Sequence, residues 1–430
     1  MLLEFRVENF RSLRDLTVLS MEASKDTESR SNAFEVPGLP DTTALRTAAI
    51  YGANASGKSN LVRALHFMRD YVLESTRERV RPGERVRMPF RLDAAKLSEP
   101  TRFEVSLVLQ GVKHTYGFSL DNEGVAEEWW HVHGQRRRRL FERVAGEPVT
   151  WGESWIGERK RLGERTRRDA LLLTVASESN NESAQALVSW FRNLVVMPSG
   201  VAGSPVFGLQ PLLKMCHDNP AVRAGIVELL KGADTGIVDV EVAKTEFAKS
   251  RLLSALFGPG RGDRPELPAV DWFEVTTKRA SRGPAGEPAE VSFDFEDESD
   301  GTQRFLELLH PVLQALAGVT VVADELDLRL HPLLIRQLLE LVTEGAGQLI
   351  FTTHTTDLLG AKRESGEPLL RRDQIWLTEK DNDGATKLFS LWDIQGVRRT
   401  EDVRERYLRG LYGGVPRITL QAGEALRERQ

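Results

Sequence analysis

A glycine-rich stretch containing one lysine carries the clearest chemistry in the sequence. Gly52, Gly57, Lys58 and Ser59 stand at the spacing GxxxxGK[ST], directly after a short apolar run. Glycines let the backbone wrap around phosphate groups, and successive backbone N–H groups then point inward at them. Lysine at this position reaches the β- and γ-phosphates, and the next hydroxyl binds Mg²⁺. The spacing predicts a nucleoside triphosphate site formed by Gly52, Ala53, Asn54, Ala55, Ser56, Gly57, Lys58, Ser59 and Asn60.

Two adjacent carboxylates, Asp324 and Glu325, follow the apolar run 319–323. A central parallel strand that ends this way delivers acidic groups beside bound phosphates. We expect the Ser59 hydroxyl to bind Mg²⁺ and Asp324 to hold it through a water molecule. We expect Glu325 to be the base that orients and deprotonates the attacking water, a role worth roughly 10² to 10⁴ in rate.

A third apolar run, 348–353, ends at His354. Beside the γ-phosphate this side chain could donate a hydrogen bond and report that the phosphate is present. Taken alone, a histidine at the end of a strand is more often structural, so this assignment depends on the rest of the site.

The elements that position these residues can be predicted from periodicity. Leu61, Leu65, Met68 and Val72 mark one face of a helix after the glycine-rich loop. Alternating patterns predict an antiparallel pair at 2–9 and 16–22 and a meander of strands at 101–109, 115–120 and 126–132. Polar, breaker-rich residues 23–46 predict a loop.

Further along, the periodicity is helical over about 165–256. Loops are predicted at 257–268 and 279–289, around a strand at about 270–278 that pairs with another at 290–295. After His354, an edge strand at 374–378 and a partner at 387–391 are expected, followed by a charged helical tail.

Arginines form two dense clusters, at Arg136–Arg139 and near Arg159. The two clusters together could contact nucleic-acid phosphates, and a solvated hairpin tip is an equally compatible interpretation of the first. The nearby Trp129 and Trp130 fit the core and the surface of one strand better than a base-stacking platform.

Composition narrows the class of protein. The 430 residues carry a net charge of −5 and are 40% hydrophobic, which suits two or three globular domains and argues against a wholly basic nucleic-acid binder. The single cysteine, Cys216, excludes an internal disulfide and a cysteine-based zinc cage. No run approaches the roughly 20 apolar residues of a membrane span, so we expect a cytoplasmic protein without a membrane partner.

Taken together, the motifs resemble those of the ABC-type ATPases. The order is the loop Gly52–Ser59, a signature-like segment 298–304, Asp324-Glu325, Asp327 and His354. Nearly the full length looks like the soluble abortive-infection or overcoming-lysogenisation-defect-like branch, which is related to the heads of structural-maintenance-of-chromosomes (SMC) proteins. The N-terminal segment 5–12 and the C-terminal segment 406–416 carry that resemblance too.

The resemblance implies an α/β fold: a P-loop NTPase head of the ABC type, with an N-terminal antiparallel β subdomain and an inserted, mainly helical lobe. The expected domains are 1–135, the N-terminal half of the head; 136–290, the insert; 291–395, the C-terminal half; and 396–430, a helical tail. No glutamine can be assigned to the glutamine loop of transporter ATPases.

The resemblance also implies a head-to-tail homodimer with two composite sites. Ser299 and Gly301 would contact ATP held by the second subunit, and Asp327 would couple the two sites. Arg11 is a weaker candidate for the phosphates. The expected activity is Mg²⁺-dependent ATP hydrolysis that controls a separate effector, in bacterial defence against phage.

Three other functions stay open at this stage. The first is an SMC-like DNA-repair or chromosome-associated ATPase that grips duplex DNA. The second is a transporter motor, which the long insert and the unassigned glutamine loop disfavour. The third is a nucleotide-gated scaffold that barely hydrolyses ATP.

Overall fold

The computed structural model describes residues 1–26, 29–77, 87–134, 136–199, 205–246, 271–284, 286–397 and 401–416. Its strands are β1 Leu2–Glu8, β2 Thr17–Ser20, β3 Ala33–Val36, β4 Leu39–Leu45, β5 Thr47–Gly52, β6 Thr101–Leu109, β7 Val112–Leu120, β8 Val125–His133, β9 Arg137–Val144, β10 Thr150–Trp151, β11 Val195–Met197, β12 Ile237–Glu246, β13 Asp271–Arg282, β14 Pro288–Asp294, β15 Thr320–Ala323, β16 Gln348–Thr352, β17 Ile375–Lys380 and β18 Thr386–Ser390.

The α-helices in the same ranges are α1 Lys58–Glu74, α2 Lys160–Arg165, α3 Leu172–Glu178, α4 Glu182–Asn193, α5 Pro205–Asp218, α6 Pro220–Gly232, α7 Asp300–Leu316, α8 Pro332–Val342 and α9 Val403–Leu408. No helix in the described ranges is long and apolar enough to cross a membrane.

The chain divides into two units. Unit 1 comprises 1–199, 315–326 and 339–430, and unit 2 comprises 200–314 and 327–338. This division differs from the predicted insert, because residues 136–199 belong to unit 1, where Leu172 and Phe191 of α3 and α4 enter the main core. Compact units need not coincide with domains, so the boundaries 1–135, 136–290, 291–395 and 396–430 stay a prediction.

A six-stranded sheet in unit 1 has the order β11-β15-β16-β5-β17-β18. The first five strands are mutually parallel, and β18 pairs antiparallel with β17. Every residue of β5 is buried, as expected for a central parallel strand that is covered on both faces. β17 lies between β5 and β18, so the edge position predicted for 374–378 is wrong and belongs to β18.

The second large sheet of unit 1 is antiparallel, with the order β10-β9-β8-β7-β6-β1-β2. The predicted N-terminal pair and meander are thereby confirmed. Phe67 and Tyr71 of α1 stack on Phe103 and Phe118 of this sheet. The same apolar core includes Ile50 of the parallel sheet, so the helix after the glycine-rich loop is anchored by both sheets.

Three local predictions are corrected. Residues 33–45, expected in a loop, form the hairpin β3–β4, because Val36 and Ala44 pack with Leu3 in a small core of their own. Residues 237–246, expected in a helix, form β12, in which the buried Ile237 and Val240 face the core of unit 2. Trp129 is only 7% exposed and is covered by the Arg102 guanidinium, so it is not a surface residue.

Unit 2 contains α5, α6, most of α7 and the sheet β12-β13-β14. The predicted hairpin of 270–278 and 290–295 is confirmed as β13–β14, with β13 continuing to Arg282. The insert is therefore part helix and part sheet. The loop predicted at 257–268 and the tail beyond residue 416 lie outside the described residues.

Candidate functional site

The glycine-rich loop joins the end of β5 to the start of α1, which is the strand–loop–helix context that its spacing requires. Gly57 has φ 114° and precedes the first helical residue, Lys58. A Cβ at Gly57 would lie 2.1 Å from Thr386 Oγ1, so a larger residue is excluded both by space and by backbone conformation. Ala55, at the exposed tip, has φ 61°.

Lys58 is 6% exposed, and its ammonium group donates to the carbonyl oxygens of Gly52 at 2.8 Å and Ala53 at 3.1 Å. The Lys58 side chain therefore curls over the loop and places its positive charge beside the loop backbone. Ser59 and Asn60 are half-buried in the first turn of α1, whose N-terminus adds a partial positive charge. This arrangement suits an anion such as a phosphate group.

A chain of hydroxyl groups fastens the loop to β18. Asn60 Nδ2 donates to Ser12 Oγ at 2.7 Å. Ser12 Oγ lies 2.8 Å from Thr386 Oγ1, and the Thr386 hydroxyl donates to the Ser56 carbonyl oxygen at 2.7 Å. A hydroxyl has one proton, so Ser12 must donate to Thr386. The chain ties the β1–β2 loop, β18 and the glycine-rich loop into one hydrogen-bonded unit.

A second chain ties the loop to β17. Ser56 Oγ lies 2.6 Å from Thr378 Oγ1, and Thr378 donates to the Tyr51 carbonyl oxygen at 3.1 Å. All three residues are nearly inaccessible to solvent. The two chains preorganise the loop, so that little backbone ordering is left to occur when a ligand binds.

The carboxyl ends of β11, β15, β16 and β5 meet at the same edge of the parallel sheet. Asp324 and Glu325 follow β15 there, His354 follows β16 by two residues, and the glycine-rich loop follows β5. Parallel sheets place ligand sites at this edge. The fold thus brings the loop, the acidic pair and the histidine to one edge, as their positions in the sequence predicted.

Thr352 connects the two acidic residues. Its hydroxyl donates to Asp324 Oδ1 at 2.6 Å and accepts from the backbone N–H of Glu325 at 2.7 Å. Asp324 is 2% exposed, and its other oxygen accepts from the backbone N–H and the hydroxyl of Ser199. A carboxylate held by three donors has a fixed position and orientation.

Glu325 has φ 51°, in the left-handed region that side chains with a Cβ avoid. Its backbone N–H is held by Thr352, and the N–H of the next residue, Leu326, donates to the Thr352 carbonyl oxygen at 3.0 Å. These bonds maintain the strained turn that carries the half-buried Glu325 away from the line of β15. Strain of this kind is typical of residues whose orientation matters to a site.

Neither Ser199 nor Thr352 was among the residues predicted for the site. Both are uncharged and belong to no motif, and their roles arise from contacts between residues far apart in the sequence. Ser199 follows β11, the strand beside β15. Its carbonyl oxygen also accepts from the Arg63 guanidinium of α1 at 3.2 Å.

Two arginines, Arg11 and Arg63, add positive charge near this edge of the sheet. Arg11 has φ 51°, and burial together with the neighbouring positive charge of Arg63 lowers its pKa. Two guanidinium groups held near each other favour a polyanionic ligand between or beside them. Arg11 and Arg63 therefore complement the glycine-rich loop, although Arg63 was not predicted.

The side chains present fit Mg²⁺ bound together with phosphate oxygens. Among the described residues, no group of three or more His, Cys, Asp or Glu side chains could hold a metal ion by itself. Mg²⁺ is typically bound by one or two protein oxygens, with phosphate oxygens and water as its other ligands. Ser59 and Asp324, the two residues predicted to hold Mg²⁺, supply a hydroxyl for the ion and a carboxylate for one of its water ligands.

The remaining predicted residues, Ser299, Gly301 and Asp327, belong to unit 2. Ser299 is exposed and immediately precedes α7, where its hydroxyl accepts from the backbone N–H of Thr302 at 3.2 Å. A Cβ on Gly301 would lie 3.1 Å from the carbonyl oxygen of Arg329. The helix thus begins at the signature-like segment.

The fold and the site define the class of protein: a P-loop nucleotide-binding α/β protein with the architecture of an ABC-type ATPase head. The chain belongs to the family described as "AAA domain, putative AbiEii toxin, Type IV TA system". That family's model matches residues 48–196 and 285–360, just over half of the chain. The matched ranges contain the glycine-rich loop, both acidic residues and His354.

Solved structures to which the chain is similar include an SMC head bound to the C-winged helix domain of ScpA, with 14% identity, TM-score 0.41 and coverage of 90% of this chain and 97% of that one. The SMC head domain from Thermotoga maritima has 15% identity, TM-score 0.38 and coverage of 90% and 98%. The recombination mediator RecF of the RecFOR pathway has 14% identity, TM-score 0.35 and the same coverage. No curated protein matches the chain.

Proposed function

We propose that this protein is a Mg²⁺-dependent ATPase of the ABC type. The observation that carries the proposal is the Thr352 bridge, which fixes Asp324 and the backbone of Glu325 at the same edge of the sheet as the preorganised phosphate loop. Precise placement of acidic groups is what phosphoryl transfer requires, because positioning and electrostatics supply most of its catalysis.

In this proposal each residue has one task. The loop 52–60 binds the phosphates through its backbone N–H groups, and Lys58 pairs with the β- and γ-oxygens. Ser59 and Asp324 hold Mg²⁺, which neutralises charge that develops on the phosphates. Glu325 orients the attacking water and accepts its proton, and His354, which is exposed, donates to the γ-phosphate.

We further propose a head-to-tail dimer in which Ser299 and Gly301 of one subunit contact ATP bound to the other. Ser299 is exposed and stands at the N-terminus of a 17-residue helix, where the helix dipole favours a phosphate group. Asp327 would couple the two sites. ATP binding would then close the dimer and hydrolysis would open it.

Mixing two inactive variants tests the shared site. Lys58→Ala removes the phosphate-binding lysine, and Ser299→Asp keeps a side-chain cap for α7 while placing a negative charge against the phosphates. A mixed dimer holds one intact composite site, so ATPase activity should return on mixing. Ser299→Asn, which keeps the cap without the charge, is the matched control. No recovery on mixing would place each site within one chain.

The resemblance of the motifs, and the AbiEii-toxin name of the family, support a role in which the ATP-driven dimer controls a separate effector during bacterial defence against phage. Co-expression with a phage challenge tests it: Glu325→Gln should abolish protection if ATP turnover drives the response. Equal protection by the variant and the wild type would remove ATP turnover from the mechanism.

Binding of duplex DNA is a second candidate function, favoured by one observation. Arg136, Arg137, Arg138 and Arg139 are all exposed at the β8–β9 turn, and only Arg139 forms an ion pair, with Glu142, among the described residues. DNA affinity that falls with salt and is lost in Arg136→Glu/Arg138→Glu would support it. Arg30→Glu, at an exposed basic residue outside both arginine clusters, is the control.

A further inference from the structure

The C-terminal segment Glu401–Pro416, which the proposed mechanism does not use, packs directly behind the phosphate loop and the His354 loop. Tyr407 of α9 is 6% exposed, and its ring meets the ring of Tyr51 edge to face, with centroids 5.9 Å apart. Tyr51 is the residue before Gly52, where the phosphate loop begins. The segment thus touches the strand that delivers the loop.

The same tyrosine leads to the His354 loop. Tyr51 donates its hydroxyl proton to the carbonyl oxygen of Thr355 at 3.3 Å, one residue after His354. Two residues further on, Asp357 Oδ1 lies 2.7 Å from Arg404 Nη2 of α9. The C-terminal segment therefore reaches the His354 loop by two routes, one through the Tyr51 ring and one through an ion pair.

The backbone conformation of the segment 401–416 also fits its position beside β17. Gly413 and Gly414 have φ of +76° and +71°, and Cβ atoms there would lie 2.7 Å from Glu379 Oε2 and 3.5 Å from the carbonyl oxygen of Thr378 on β17. Tyr407 also donates to the Gly414 carbonyl oxygen at 3.2 Å, which closes the segment on itself. Glycine adopts this left-handed backbone conformation without the strain that a residue with a Cβ would carry.

We propose that residues 401–416 position His354 relative to the phosphate loop, with Tyr407 and Arg404 as positioning residues for ATP hydrolysis. This inference rests on the proposed function. Tyr407 supplies the buried contact. The Arg404–Asp357 pair is about half exposed, so it contributes orientation more than stability. Loosening the segment should leave nucleotide binding intact and slow the chemical step.

Arg404→Glu is the sharpest variant, because it places two negative charges together on the surface without removing a core side chain. We expect kcat to fall about fivefold to tenfold with KM within about twofold of wild type, since misalignment costs rate more than ground-state binding. Arg404→Glu/Asp357→Arg should recover most of the rate. Tyr407→Phe keeps the ring contact with Tyr51 but loses the hydrogen bond to the Gly414 carbonyl oxygen, so its kcat should lie between those of wild type and Tyr407→Ala. Tyr407→Ala should act like Arg404→Glu.

Hydrogen exchange separates this inference from the proposed function. In protein without nucleotide, backbone amides of 353–359 should exchange faster in Arg404→Glu and Tyr407→Ala than in wild type, while amides of β6 and β7 stay unchanged. An inactive wild-type protein would overturn the ATPase proposal, yet the exchange comparison would still decide the positioning role. Unchanged exchange at 353–359, or a normal kcat in Arg404→Glu, would overturn the positioning role.

Discussion

Thr352 Oγ1 lies 2.6 Å from Asp324 Oδ1, and the same hydroxyl accepts from the backbone N–H of Glu325. One buried hydroxyl therefore sets the position of the carboxylate predicted to hold Mg²⁺ and of the predicted base. The geometry of the site depends on a side chain with no chemistry of its own in the reaction.

Thr352→Val should leave Asp324 and the Glu325 N–H each without this partner. We expect the free energy of unfolding to fall by about 1–3 kcal/mol and the turnover number to fall with it, because buried polar groups lose a hydrogen bond. Thermal unfolding and steady-state ATPase assays measure both effects. Thr352→Ser keeps the hydroxyl and is the control. A fully active Thr352→Val protein would contradict the positioning role.

Thr386→Val should loosen the phosphate loop from β18, because the Thr386 hydroxyl is the link between Ser12 and the Ser56 carbonyl oxygen. Nucleotide affinity should weaken by about threefold to thirtyfold, the equivalent of one lost hydrogen bond. Titration with a fluorescent ATP analogue measures it, with Thr386→Ser as the control. Equal affinity in the two variants would show that the loop holds its shape without this link.

The backbone strain at Glu325 predicts that glycine at this position gives a more stable protein than alanine does, which is the reverse of the usual order. At most positions glycine is less stable than alanine, but at φ 51° glycine is the residue without strain. Glu325→Gly should therefore be more stable than Glu325→Ala by about 1 kcal/mol, since the left-handed conformation costs a residue with a Cβ that much or more. Chemical denaturation of the two inactive variants gives the difference. An alanine variant as stable as the glycine variant would contradict the strain.

The half-buried His114 predicts loss of stability on acidification. Burial, and next the positive charge of His133, lower the pKa of His114 to about 4, and its Nδ1 accepts from the Trp130 indole N–H at 3.1 Å. The unfolded chain therefore binds this proton more readily than the folded chain between about pH 6.5 and 4. Stability should fall as the pH drops through that window.

His114→Gln offers a neutral acceptor that does not titrate, so its melting temperature should fall less than that of wild type between pH 6.5 and 4.5. Differential scanning fluorimetry across that range makes the comparison. Parallel curves for the two proteins would mean that His114 does not contribute to the acid sensitivity.

The sequence and the structure agree most closely where a motif and a strand end coincide. Gly52, Asp324 and His354 were predicted because chemically distinctive residues follow apolar runs, and parallel pairing brings such ends together. Ser199, Thr352 and Thr386 were not predicted. Serines and threonines are common, and the partners of Ser199, Thr352 and Thr386 here lie 125, 28 and 330 residues away, so no local pattern marks them.

The missed strands have separate causes. In β12, Val238, Val240 and Val242 alternate, so the strand signal was present but was assigned to the preceding helical region. In β3–β4, Pro37 and Gly38 contribute to the breaker-rich pattern that predicts a loop, whereas in the structure they form the turn of a hairpin. A proline–glycine turn between apolar residues is a hairpin signal as well as a breaker.

The most direct test of the central claim is single-turnover release of inorganic phosphate from ATP by wild type, Glu325→Gln and Lys58→Ala, with and without Mg²⁺, alongside equilibrium binding of the nucleotide. We predict Mg²⁺-dependent release by wild type. Glu325→Gln should bind ATP normally but release phosphate at least about a hundredfold more slowly, and Lys58→Ala should fail to bind. Phosphate release by Glu325→Gln at the wild-type rate, or none from wild type that binds ATP, would contradict the account.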